Sequence, residues 1–220
     1  MNGMKKRNSL YFLFFFLFLI ACKNDLPIPE SKNIDSKVEL KKEYGKQVDS
    51  CQQFLQNGTI VLRTGNDAIS SMFVQLNKID KTFSHCGIAF EENNKWYVYH
   101  SIGGEDNPDE KLRKEPFESF VGASHNFGFG ICKYNLNEQQ QTKLKQIVGL
   151  WYQKEMPFDM DFDLKSDDRL YCAEMVFKAF NKTFETDSFF QITNHKGFKY
   201  VSTDNIFVNK DAQLLCHLVY

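Results

Sequence analysis

The stretch FSHCGIAFEENNKWYVYHSIGG, residues 83–104, constrains this chain more than any other. Asn93 and Asn94 form a natural tight turn between two runs rich in aromatic and apolar residues, so the segment reads as a β-hairpin. With the asparagines at the turn centre, Glu92 lies opposite Lys95, His85 faces Ile102 and Gly87 faces His100. Side chains alternate along a strand, which places His85, Gly87, Val98 and His100 on one sheet face. The two histidines become diagonal neighbours, about 7–8 Å apart by Cα and within side-chain reach. Gly87 leaves space between them, and a register slip of one residue would part them.

The remaining segments supply partners for that hairpin. GTIVLRTG and FGFGICKYN read as strands, as does the tail AQLLCHLVY. NDAISSMFVQLN carries an Asn or Asp cap and reads as a helix, and residues 36–55 read as another with Ser36 as its cap. NEQQQTKLKQIVGLWYQKE has Leu144, Ile147, Val148 and Trp151 on one helical face. MPFDMDFDLKSDDR is an acidic loop, followed by a helix from Tyr171 to about Lys182. There is no repeat and no sign of a second domain. Strands linked by a hairpin, with helices beside them, give an α+β fold with an antiparallel sheet.

The N-terminus has a different purpose. Lys5, Lys6 and Arg7 precede an unbroken apolar run from Leu10 to Ala21, which is short for a membrane span and suits a signal-peptide core. Leu19, Ala21 and Cys22 resemble the lipobox of bacterial lipoproteins; a plain secretory signal or an uncleaved anchor is the alternative. The expected organisation is a signal peptide over 1–21, a lipid-anchored flexible tether over 22–37 with the lipid on Cys22, and one folded domain over 38–220. The expected location is the bacterial cell envelope, on the outer membrane. The net charge of −1 leaves no basic footprint for a nucleic-acid partner. After cleavage before Cys22, five scattered cysteines remain: Cys51, Cys86, Cys132, Cys172 and Cys216. An odd number in an exported chain leaves at least one thiol free.

Cys172 is the cysteine with chemical promise. It opens a helix, where free N–H groups and the helix dipole favour a thiolate. A sheet carrying His85 and facing that helix start would supply a base, with His100 holding His85 in the useful tautomer. The Cys172 N–H would also suit an oxyanion. The competing reading is packing: Cys172, Met175, Val176, Ala179 and Phe180 share one helical stripe, where a cysteine serves as a small hydrophobe. A zinc site from His85, Cys86, His100 and Cys172 fails because Cys86 points to the face opposite His85. Asp159, Asp161, Asp163, Asp167 and Asp168 lack the glycine and terminal glutamate of a calcium loop and read as solvated. Arg63 and Arg169 are expected to pair with loop carboxylates rather than bind an anionic substrate.

Four segments in order, FSHCGIAF, WYVYHSIGG, MPFDMDFDL and DDRLYCAEMVFKAF, resemble the YiiX-like family of circularly permuted papain-like amidases, relatives of the NlpC-type cell-wall peptidases. Ser84-His85-Cys86-Gly87, Phe158 to Phe162 and Tyr171-Cys172-Ala173-Glu174 fill the family's motif positions. NGTIVLRTGNDAIS resembles the family's strand–helix entry and VSTDNIF a late helix start, so the likeness runs from about Gly58 to Leu215. It implies a circularly permuted papain-like fold, with Cys172 as nucleophile, His85 as base and His100 as the third member. His100 stands where these relatives often carry a glutamate; a histidine there resembles the lecithin retinol acyltransferase relatives. Thr59 replaces an aspartate and Ala173 a serine, and neither change removes a proposed catalytic atom.

The expectation is a lipid-anchored thiol hydrolase of the envelope that cleaves an amide or ester through a cysteine acyl-enzyme. It needs no cofactor and no metal. The substrate would be a small-molecule, peptide or lipid amide or ester, and Phe83, Trp96, Tyr97, Tyr99, Phe127 and Phe129 would either favour an acyl chain or be core. The alternative is an inactive papain-like domain that binds a cell-wall or lipid ligand.

Overall fold

The computed structural model describes residues 43–103, 107 and 109–220. The signal-peptide and tether expectations, Cys22 and the first part of the 36–55 helix lie outside them. Among the described residues, no helix is long and apolar enough to cross a membrane.

Two asparagines make the hairpin. Asn93 and Asn94 take φ of 51° and 61°, a left-handed pair that most residues resist and that matches the strand twist. The turn joins β2 (His85–Glu92) to β3 (Lys95–His100) in the expected register, with Glu92 opposite Lys95 and Ile88 opposite Tyr99. Around it, β1 (Thr59–Gly65), β4 (Arg113–Pro116), β5 (Asn126–Lys133) and β8 (Gln213–Val219) complete a six-stranded antiparallel sheet, ordered β4-β3-β2-β1-β5-β8. A separate two-stranded ribbon pairs β6 (Thr193–His195) with β7 (Phe198–Tyr200).

Alternation along the strands gives the sheet two apolar faces. Ile60, Leu62, Cys86, Ile88 and Phe90 pack beneath α4 (Glu138–Gln153) and α5 (Cys172–Phe184). Val61, Ala89, Val98, Phe129 and Ile131 form the other core, closed by Cys51 of α1 (43–52), by Leu55, and by Phe117 and Phe120 of the short α3 (Phe117–Phe120). α4 buries Leu144, Val148 and Trp151, and each aliphatic side chain contributes about 1.5–3 kcal/mol. Its start is fixed by a reciprocal cap: Asn137 Oδ1 accepts from the Gln140 N–H, and Gln140 Oε1 accepts from the Asn137 N–H, both at 2.9 Å. α2 (Ala68–Leu76) is capped by Asp67, which accepts from the Ser70 N–H at 2.8 Å, yet it buries none of its residues. α6 (Thr203–Phe207) follows β7, where the late helix start is expected.

A disulfide joins Cys51 to Cys216, tying α1 to edge strand β8 across 165 residues of sequence. Cys86, Cys132 and Cys172 are free thiols, all buried.

The acidic loop departs from expectation at one residue. Asp159 is buried and accepts N–H bonds from Asp161 at 2.9 Å and Asp163 at 2.7 Å. It is an internal cap that folds the loop upon itself, while Asp161, Asp163, Asp167 and Asp168 are exposed.

Candidate active site

Cys172 is the first residue of α5, and three anchors hold that helix start. The Ser101 hydroxyl, just past β3, donates to the Leu170 carbonyl. The Tyr171 hydroxyl accepts the Val201 N–H at 2.8 Å. Glu174, one turn into the helix, accepts the Tyr171 N–H at 3.2 Å. The sulfur is therefore placed by β3, by the segment before α6 and by its own helix, and not by an isolated loop.

His85 opens β2 and His100 closes β3, and the hairpin register brings their rings together. His85 Nε2 lies 2.9 Å from His100 Nδ1, with ring centroids 5.0 Å apart and nearly perpendicular. Gly87 makes the approach possible, since a Cβ there would stand 2.5 Å from Val98 Cγ1 and 3.0 Å from His100 Cβ. Both rings rest on Phe120, at 5.7 Å and 4.9 Å, and the Arg63 guanidinium covers the same phenyl ring at 4.5 Å. Arg63 donates to the Phe120 carbonyl and, among the described residues, makes no loop-carboxylate bridge; Arg169 does so, with Asp109 at 3.0 Å.

The meeting of Cys172 and His85 differs from the sequence expectation in one respect. The helix start does not face the histidine-bearing side of the sheet. Cys172 packs with Cys86 in the core beneath α5, while the histidines face Phe120 on the other side. Cys172 and His85 instead line one cleft at the sheet's end, where β1 stops, β2 begins and β3 stops, without a hydrogen bond between them. This cleft of about 230 Å³ is lined by Cys172, His85, Arg63, Ser84, Ser101 and Phe158 among others. A second cavity of about 120 Å³, walled mainly by apolar side chains of α2, β7 and the loop, also ends at Cys172. A larger, open depression of about 770 Å³ along α4 carries no cysteine or histidine. Of the six aromatic residues suggested for a pocket, none lines either cavity at Cys172. Phe83, Tyr99 and Phe129 are core and Phe127 is exposed.

Electrostatics distinguish the groups. The Cys172 thiol is held below its ordinary range, first because the Cys86 thiol donates to it, and further by the N–H groups of Ala173 and Cys86 and the charge of Arg63, against burial. Cys86 is pushed well up by the same contact and by its own burial. Cys172 is the better anion of the two because the helix N–H groups and Arg63 favour it. Burial, then the neighbouring Arg63, holds His85 well below the usual imidazole range. Burial also lowers His100, opposed by a carboxylate that sequence reasoning missed, Glu115 of β4. Its Oε1 lies 3.6 Å from His100 Nε2, and its own acidity is strengthened to about 2, chiefly by that contact. A thiol and an imidazole lining one cleft, with a second ring bonded to the first, are the groups that nucleophilic acyl transfer requires.

Residues 54–207 match the family described as "Permuted papain-like amidase enzyme, YaeF/YiiX, C92 family". The chain belongs to this family. The C92-family chain is 26% identical over 127 residues to the uncharacterized protein YiiX of Escherichia coli (strain K12), a match covering 57% of each protein. The chain thus spans little more than half the length of that curated relative. The crystal structure of "metalloprotein yiiX" from Escherichia coli O157:H7 superposes with a TM-score of 0.62 at 20% identity, covering 75% of the C92-family chain and 98% of the other, and shares its fold. Membership makes the permuted papain-like α+β architecture a finding about this chain.

Proposed function

We propose that the protein is a cysteine-dependent hydrolase that cleaves an amide or ester through a thioester on Cys172. The observation that carries this reading is the cleft at the sheet's end, where a thiol at a helix N-terminus and His85 line one cavity while His100 occupies the Nε2 side of His85. In the attack, the Cys172 sulfur bonds to the substrate carbonyl carbon and its proton passes to His85 Nδ1. The Cys172 N–H, at the open end of α5, donates to the oxyanion. Collapse breaks the C–N or C–O bond, and His85 returns the proton to the departing amine or alcohol. Water then attacks the thioester, with His85 again as base. His100 keeps the His85 ring in place.

A related solved structure is called a metalloprotein, but the donor set of the described residues does not fit a bound metal. Among the described residues no three His, Cys, Asp or Glu side chains gather closely enough, and His85 Nε2 and His100 Nδ1 are spent on each other. No step of the acyl transfer is routed through a metal.

We further propose that residues 1–21 are removed and that Cys22 carries a lipid. Residues 22–37 would then tether the domain to a membrane of the bacterial envelope, where the substrate is a peptide, small-molecule or lipid amide or ester. The Cys51–Cys216 disulfide supports export, since such bonds persist in oxidising compartments.

The test is mass spectrometry of the purified protein after incubation with envelope extract, together with an electrophilic thiol probe. An acyl adduct and probe label on Cys172, both abolished in Cys172→Ala, are expected. Label only on Cys86 or Cys132, with turnover intact in Cys172→Ala, would refute the assignment.

A further inference from the structure

The arrangement behind the histidine pair deepens the reading of Cys172 as nucleophile and His85 as base, and the role of Glu115 rests on that reading. A neutral His85 can accept the thiol proton at Nδ1 only if its own proton sits on Nε2. That proton points at His100 Nδ1, 2.9 Å away, so His100 must be unprotonated at Nδ1 and protonated at Nε2. His100 is fully buried, and its Nε2 has no hydrogen-bond partner within normal range. Glu115 Oε1 lies 3.6 Å from it. Without a carboxylate there, the opposite tautomer of His100 would donate from Nδ1 to His85 Nε2. His85 would then carry its proton on Nδ1, facing the cleft, and could not act as a base.

We propose that Glu115 is a positioning residue whose carboxylate sets the tautomers of both imidazoles, directing His100 Nε2–H toward itself and His85 Nε2–H toward His100. The register of β3 and β4 places it, with Val98 opposite Glu115 and His100 opposite Arg113. Arg113, 3.7 Å away, steadies the carboxylate from the solvent side. Among the described residues, the charged side chains that act on the two rings are Glu115 and Arg113 from β4 and Arg63 from β1, and the phenyl ring of Phe120 from α3 lies against the pair. Glu115 is therefore the one anion among them. Its carboxyl, held to about 2, stays ionised wherever the enzyme would work. When His85 takes the thiol proton, the same carboxylate faces the cationic pair and favours it.

The experiment uses the folded protein with histidine ¹⁵N labels, in wild type, Glu115→Gln, Glu115→Ala and Arg113→Gln. Long-range ¹H–¹⁵N spectra report each ring's tautomer independently of any substrate. The rate of Cys172 alkylation by iodoacetamide, followed against pH by mass spectrometry, reports the base. Expected are Nε2–H tautomers for both rings in wild type, a shift toward Nδ1–H in Glu115→Ala, and a smaller shift in Glu115→Gln, whose amide oxygen still accepts. Alkylation should fall on the order of 10- to 100-fold with a displaced pH profile, and Arg113→Gln should change it less than about threefold. Unchanged tautomers in folded Glu115→Ala would overturn the proposal, as would a loss in Arg113→Gln as large as in Glu115→Ala. If wild-type Cys172 is not the thiol that reacts, the nucleophile reading fails, while the ring spectra still decide the part of Glu115.

Discussion

His85 is a buried imidazole whose proton affinity is reduced by the absence of water and by Arg63. Two consequences share one sign. The group stays an unprotonated base as pH falls through 6.5, so the acidic limb of Cys172 alkylation or substrate turnover is expected below that value, which a pH–rate profile measures. The unfolded chain binds a proton near pH 6.5 that the folded chain refuses, so stability declines as pH drops below 6.5. Urea titrations of wild type and His85→Gln at pH 7 and pH 5.5 should show a pH-dependent loss in the first and a smaller one in the second. The His85–His100 pair was legible in the sequence because one turn sets one register and the register fixes the faces. Glu115 was not, because it enters through β4, whose Arg-Lys-Glu-Pro run has no alternation to mark it as a strand. The contact between Cys86 and Cys172 was equally hidden: alternation shows which way Cys86 points, but not which helix lies beneath it.

Among the elements, α5 is buried nearly all round, including polar residues that a one-stripe reading leaves in solvent. Glu174 is fully buried and pairs with Lys178 at 3.0 Å, and Lys178 reaches Asp167 at 2.9 Å. This polar string ties the acidic loop to the helix that presents Cys172. Burial raises the Glu174 carboxyl to about 7, more than Lys178 lowers it. A carboxyl raised in the folded state keeps a proton that the unfolded chain has already shed, so this group makes stability fall as pH rises from about 4.5 to about 7. Glu174→Gln should flatten that portion of the stability profile, as read from urea midpoints at pH 5 and pH 7. The main strands and long helices were legible because apolar period and caps coincide, as at Asn137 and Asp67. Short elements were not. β4, α3 and the β6–β7 ribbon are three or four residues each, too short for either period to repeat, and they exist because the sheet and the core around Phe120 hold them.

At the scale of the whole molecule, two apolar layers and one covalent link hold the sheet. Removing that link with Cys51→Ser and Cys216→Ser should cost roughly 2–5 kcal/mol of stability, because the closed loop is long. The check is chemical denaturation of the double variant beside the wild type, at a pH low enough to keep the three free thiols protonated and so prevent exchange. The bridge also decides how a pull on the chain is distributed. Cys51 lies in the last turn of α1 and Cys216 within the final strand, so His85, His100, Glu115 and Cys172 all fall inside the 165-residue loop it closes. Tension applied upstream of α1 and resisted at the C-terminus crosses from one segment to the other through sulfur. The backbone that shapes the cleft is mechanically short-circuited and stays slack while the ends are loaded.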